Sequence, residues 1–193
     1  MAKTNARIIP YQGKLPDIHP SVFLADGVVI VGDVTLAEDV NVWCNAVIRG
    51  DVNTIRIGAR TNVQDNSTLH VTWNQYSLNI GADVTIGHGV TLHGCTIHDR
   101  VLIGMGAVVL DGAEVFPESL IAAGTLVRQH FEVPEGSLVA GVPGKIARRL
   151  NDEERRGIAE SAQHYMHYVN EYRAHDDLGQ AMDFDTYLRL RHG

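Results

Sequence analysis

Three histidines, His70, His88 and His93, stand out as residues whose type could carry chemistry. A neutral imidazole ligates Zn²⁺, Fe²⁺ or Co²⁺, and it is also a general base near neutral pH. Arg49, Gln64 and Asp65 lie close to them along the chain. Corners built from Asn, Asp and His are also common as plain structure, so spacing alone leaves the metal reading and the structural reading level. The decision rests on where the fold brings the three rings.

The element that positions them is a repeat. Stepping by six from Ile18 lands on Leu24, Ile30, Leu36, Val42 and Ile48. After three extra residues the step resumes at Ile57, Val63 and Leu69, and after the insertion Val71–Asn79 at Ile80, Ile86 and Leu92. One residue is then lost, and an unbroken run follows through Ile97, Ile103, Val109, Val115, Ile121, Val127, Val133 and Val139. An amphipathic helix repeats near 3.6 residues and a half-buried strand near two, so neither produces this pattern. A period of six marks a parallel β-helix, with one short strand and one corner per six and three sixes per triangular coil. Glycines such as Gly58, Gly81, Gly87 and Gly104 supply the small corner positions. The period leaves the hand open, because crossovers between parallel strands are right-handed in about 98% of cases.

Folding the repeat on itself gives a register. Ile48, Leu69 and Leu92 share a face, so the residues after them, Arg49, His70 and His93, form a column with a spacing of roughly 4.8 Å. On another face Asp65 aligns with His88, beside Gln64. His88 and His93 are separated by a strand and a corner, on the order of 16 Å of extended chain. Metal–imidazole bonds of roughly 2.0–2.1 Å cannot bridge that gap within one chain. If all three histidines hold one ion, His88 must come from a second subunit, and a cyclic trimer closes such a head-to-tail contact.

The remaining features bound the function. The chain has 193 residues and a net charge of −7 with no long basic run, which argues against a nucleic-acid or anionic-membrane surface. Two cysteines, Cys44 and Cys95, form no disulfide framework or zinc-knuckle spacing and read as small buried side chains. No secretory leader or membrane span is visible, so a cytoplasmic location is expected. We read one domain, with a β-helix over residues 1–150 and a helix and tail over 151–193. Pro143 in GVPGKIARRL is expected to prevent another ladder strand. Asn151 then opens a helix with acidic residues in its first turn and Ile158, Ala162, Tyr165 and Val169 on one stripe. A further short helix is expected within Met182–Gly193.

The stretches VIRGDVNTIRIGARTNVQDNSTLHV and IGHGVTLHGCTI resemble the γ-class carbonic anhydrase family, over almost the whole chain. The resemblance implies an all-β solenoid whose coils are left-handed, assembled as a homotrimer. It implies Zn²⁺, with Fe²⁺ or Co²⁺ as possible substitutes, held by His70, His88 and His93, and CO₂ and bicarbonate as substrate and product. By the same likeness Gln64 orients the attacking hydroxide, Asn62 contacts substrate or product, and a helix tyrosine matched to Tyr165 approaches the site, with Tyr168 and Tyr172 as alternatives. Arg49, Asp51 and Asp65 would form a charged network across the subunit boundary. Three neutral imidazoles leave Zn²⁺ an open position, which lowers the pKa of water from 15.7 to about 7.

Two features depart from the family pattern. Relative to its best-characterised form, Val52 stands where some active members carry a glutamate, and VTWNQYSLN has no carboxylate where those members carry an acidic, proton-shuttling loop. Two rival readings follow. One is a hexapeptide-fold acyltransferase using acetyl-CoA with a histidine base, and the other a catalytically weak metal-binding scaffold.

Overall fold

The sixfold step is a ladder in space. In the computed structural model, which describes residues 5–174 with Thr186, Leu188, Arg189 and Arg191, every register pairing anticipated from Ile18 to Val139 is formed. Ile57, Ile80, Ile97, Val115 and Val133 stack down one face. Val42, Val63, Ile86, Ile103, Ile121 and Val139 stack down the second. Ile30, Ile48, Leu69, Leu92, Val109 and Val127 stack down the third. The result is a left-handed parallel β-helix whose interior is a column of aliphatic side chains, with Ile48, Leu69, Ile86 and Leu92 all at 0% exposure. Burying each such side chain stabilises the fold by about 1.5–3 kcal/mol, so stacking like on like supplies the main driving force.

Most coils turn corners between two-residue strands. Two strands, Val29–Leu36 and Val47–Ile57, instead bend continuously from the third face to the first and join both faces into a 12-stranded sheet. The bend lies at Gly32 and Gly50, which are in register. Gly32 has φ +77°, and a Cβ there would lie 2.3 Å from the Gly50 carbonyl oxygen, so only glycine fits. Several other corners place Asn45, Asn66 or Asp83 at positive φ, a region that Asn and Asp enter at lower cost than other side chains.

Both ends of the β-helix hold strands the repeat did not reveal. Arg7–Ile9 pairs in parallel with Val29–Val31, setting Ile8 beside Ile30. At the other end the expectation that Pro143 stops further pairing is corrected. Pro143 lies in a turn, and Lys145–Arg149 returns antiparallel against Ser137–Ala140. The proline thus sits outside the ladder it cannot join.

Helix α1 spans Asp152–Ala174. Asn151 Oδ1 accepts the Glu154 N–H at 2.9 Å, and the Glu154 carboxylate accepts the Asn151 N–H at 2.9 Å, a reciprocal cap that satisfies two otherwise unpaired donors. The helix buries Ile158, Ala162 and Val169 and packs on the second face, against Asn41–Val42 and Thr85–Ile86. Arg155 holds Glu118 at 3.2 Å near its start, and Arg173 donates to the Ser21 carbonyl at 2.6 Å near its end, so it runs back along the stack of coils. The short helix anticipated within Met182–Gly193 falls largely outside the described residues. Among the described residues, no helix is long and apolar enough to cross a membrane.

Candidate metal centre

Strands Thr68–His70 and Thr91–His93 pair residue for residue, which puts His93 directly beside His70. Their ring centroids lie 5.1 Å apart, and His70 Nδ1 stands 3.1 Å from His93 Nε2. The outward nitrogen of each ring meets a carboxylate. His70 Nε2 is 3.1 Å from Asp51 Oδ1, and His93 Nδ1 is 2.8 Å from Asp111 Oδ1. Arg49 Nη1 donates to the other Asp51 oxygen at 2.6 Å. Burial would raise the Asp51 carboxyl, but hydrogen bonds from Arg49 and His70 outweigh it and hold it below the ordinary carboxylate range. Asp111 is held low in the same way by Thr72, His93 and Gln129, again against the effect of burial.

These contacts fix what the facing nitrogens can be. A carboxylate accepts hydrogen bonds only, so each ring gives its N–H outward. In two neutral rings the inward nitrogens then present lone pairs to each other at 3.1 Å. That contact is repulsive unless a cation or an extra proton lies between them. Burial, with help from Arg49 and His93, lowers the His70 pKa despite Asp51, which favours the neutral ligating ring. The 3.1 Å gap is also close to the edge of a tetrahedron with metal–nitrogen bonds of roughly 2.0–2.1 Å, which is about 3.3 Å. The donor set therefore fits a divalent ion at two ligands.

His88 sits at a different edge, in the corner between strands Thr85–Ile86 and Thr91–His93. Its Nδ1 is 2.7 Å from Asp65 Oδ2, so it repeats the carboxylate-backed pattern and leaves Nε2 outward. Beside it a directional chain runs through the second face. Gln64 Nε2 donates to Asn62 Oδ1 at 3.1 Å, Asn62 Nδ2 to Thr85 Oγ1 at 2.9 Å, and Thr85 Oγ1 to Ser161 Oγ of helix α1 at 3.1 Å. This chain fixes both amide orientations and leaves the Gln64 carbonyl oxygen as an acceptor.

Tyr165 packs edge-on against Trp43 at 5.5 Å and against Tyr168 at 5.6 Å. Burial first, then the Asp65 charge and Tyr168, push its phenol up to about 12, so it remains a hydrogen-bond donor. Tyr172 packs on Phe23 and on the same Trp43. Of the three tyrosines considered, Tyr165 is the one on which the Asp65 charge acts, and Tyr168 packs directly against it.

The anticipated residues thus fall into two clusters: Arg49, Asp51, His70 and His93 at one edge, and Asn62, Gln64, Asp65 and His88 at another. Asp65 pairs with His88, whereas Arg49 pairs with Asp51. Among the described residues, no three ligating side chains converge within the chain. Asp111, Thr72 and Gln129 went unforeseen. Gly94 faces Asp111 across one coil and leaves room for its carboxylate, but that approach shows only in the folded chain. Neither cysteine is primed for chemistry: burial raises both thiols, with Asp65 and Asp26 adding to the effect at Cys44, and Cys95 reaches about 12.

Known proteins resemble this chain over most of its length. Residues 78–111 match the bacterial transferase hexapeptide (six repeats) family. The chain is 42% identical to a carbonic anhydrase of Geobacillus kaustophilus, over 86% of this chain and 91% of that protein. It is 49% identical to Protein YrdA of Escherichia coli K12, over 84% and 92%. A Bacillus cereus crystal structure named as an acetyltransferase superimposes with a TM-score of 0.86 at 44% identity, covering 89% of this chain and 99% of the other. From the repeat and these likenesses together, the chain belongs to the γ-class carbonic anhydrase family of hexapeptide-repeat proteins.

Proposed function

We propose that this protein catalyses the reversible hydration of CO₂ to bicarbonate with a divalent metal, at sites shared between the subunits of a cytoplasmic homotrimer. The observation that carries the reading is the pair of inward imidazole nitrogens 3.1 Å apart, each ring backed by a carboxylate. His70 and His93 of one subunit and His88 of the next would hold the ion. Zn²⁺ suits three imidazoles, as do Fe²⁺ and Co²⁺. Bound there, the ion supplies Lewis acidity that brings the ionisation of water down to about pH 7.

The protein's own residues do the rest. Asp51, Asp65 and Asp111 each fix one histidine tautomer, so the ring nitrogen facing the ion carries a lone pair. The Gln64 carbonyl oxygen, left free by the amide chain, would accept a hydrogen bond from the attacking oxygen's O–H and so orient its lone pair toward CO₂. Asn62, buried and held by Thr85, keeps Gln64 in that pose and lines the substrate position. Tyr165, whose phenol is pushed up to about 12, stays protonated through the neutral range and would offer a hydrogen-bond donor to the site. The Val71–Asn79 insertion carries no carboxylate to take up the released proton, and turnover is expected to rise with buffer concentration.

The test is metal analysis of aerobically and anaerobically purified protein, followed by stopped-flow CO₂ hydration by wild type and His88→Ala. Stoichiometric divalent metal and a rate lost in His88→Ala support the proposal. Wild type without stoichiometric metal contradicts it. The name carried by the Bacillus cereus structure keeps acyl transfer in view. Calorimetric binding of acetyl-CoA to metal-free protein would favour that reading, and metal-loaded protein inert toward CO₂ would favour a scaffold.

A further inference from the structure

The Val71–Asn79 insertion carries no carboxylate, yet it is not idle surface. Thr72, its second residue, points Oγ1 at Asp111 Oδ1, 2.8 Å away, and its carbonyl accepts from Asn53 Nδ2 at 3.2 Å, which ties the insertion to the neighbouring coil. Asp111 Oδ1 is the oxygen that meets His93 Nδ1 at 2.8 Å, and Asp111 Oδ2 accepts from Gln129 Nε2 at 3.4 Å. The carboxylate thus has partners on three sides, from the insertion, from the coil below and from the histidine. Room for it comes from Gly94, where a Cβ would lie 2.2 Å from Asp111 Oδ1 and 2.7 Å from Tyr76 Cβ. The Gly112 N–H donates to the Gly94 carbonyl at 2.8 Å, which sets Asp111 one coil below that gap.

We infer that Asp111, clamped by Thr72 of the insertion, is a positioning residue for the metal: it locks His93 with its proton on Nδ1 and its Nε2 lone pair turned toward the His70 nitrogen. This rests on the proposed metal reading and deepens it. A carboxylate behind a ligating histidine fixes the ring and raises its basicity, and losing such a partner weakens metal binding about 10- to 100-fold. The insertion would then serve metal retention.

The experiment uses the full-length protein and Co²⁺ alone as the probe, followed by its visible ligand-field bands and by competition with a chelator. Asp111→Asn keeps the shape and removes the charge. It is expected to weaken Co²⁺ binding at least tenfold and to shift the bands, while far-ultraviolet circular dichroism stays that of the wild type. Thr72→Val, which cannot disturb the coil ladder, is expected to weaken binding about fivefold in the same direction. A purely structural Asp111 would lower thermal stability and leave the Co²⁺ spectrum unmoved. Wild-type affinity and bands in folded Asp111→Asn, or in Thr72→Val should Asp111→Asn fail to fold, would overturn the inference alone. A wild type that takes up no Co²⁺ would instead overturn the metal reading on which it stands.

Discussion

Replacing Gly94 with alanine tests the packing behind His93 through stability. Gly94 has φ +54°, so an added Cβ meets the left-handed penalty of about 1–2 kcal/mol. It would also lie 2.2 Å from Asp111 Oδ1, where ordinary contact begins at 3.4 Å, and the carboxylate must retreat by roughly 1 Å. The 2.8 Å bond to His93 then stretches beyond hydrogen-bonding range. A hydrogen bond to a charged group contributes about 1.5–3 kcal/mol, and the lower half applies because His93 is partly exposed. Tyr76 Cβ, 2.7 Å away and close to the backbone, cannot swing aside as a chain end could. Gly94→Ala should therefore cost about 3–4 kcal/mol in all. Gly124→Ala is the matched control: its φ is +67° with nothing within 4 Å, so only the backbone penalty of about 1–2 kcal/mol applies. Urea unfolding at one fixed protein concentration measures both, the concentration being held because assembly contributes to stability. If the two variants agree within about 0.5 kcal/mol, the error expected for such comparisons, Asp111 is not held in the gap as described.

Three further outcomes follow. Asp51 has a folded pKa below its ordinary 3.8, so its contribution is present above that value and is lost as pH falls through the lower folded value. The gap between urea midpoints of wild type and Asp51→Asn should be constant near neutrality and shrink below about pH 4; a gap constant to pH 2 would refute this. Tyr165 should ionise only near 12, so absorbance at the phenolate band in wild type minus Tyr165→Phe should show one tyrosine silent through the ordinary range near 10. Asn151→Ala removes one half of the reciprocal helix cap and should destabilise the protein by about 1 kcal/mol in urea unfolding, with the solenoid intact.

The parts of this structure legible in the sequence are those the ladder enforces. Because neighbouring coils pair residue on residue, one aliphatic every six positions sufficed to place His70 on His93 and Asp65 beside His88. The cap at Asn151 was readable because it depends on neighbours three residues apart. What escaped lies where the period breaks. The Tyr11–Lys14 turn puts Ile8 out of step with Ile18, which hid the first strand. At the other end the chain reverses after Ala140, and antiparallel pairing has no sixfold signature. Thr72 and Asp111 meet only because the insertion folds back across the coil that lost a residue, a tertiary contact no local pattern encodes. Identifying the histidines as ligands needed family likeness, since stacked imidazoles alone have two readings.

The central claim, a metal site built from His70 and His93 of one chain and His88 of another, is tested most directly by complementation. His88→Ala and His93→Ala are unfolded, mixed in equal amounts and refolded together, and bound metal per chain is measured. Each variant alone is expected to hold no tightly bound metal. In the mixture an interface is intact when a chain retaining His93 meets a neighbour retaining His88, which random assembly produces at about one site in four. Recovery of about a quarter of the wild-type metal content is the expected result. No recovery in well-formed mixed assemblies, or full metal binding by His88→Ala alone, would contradict the shared site.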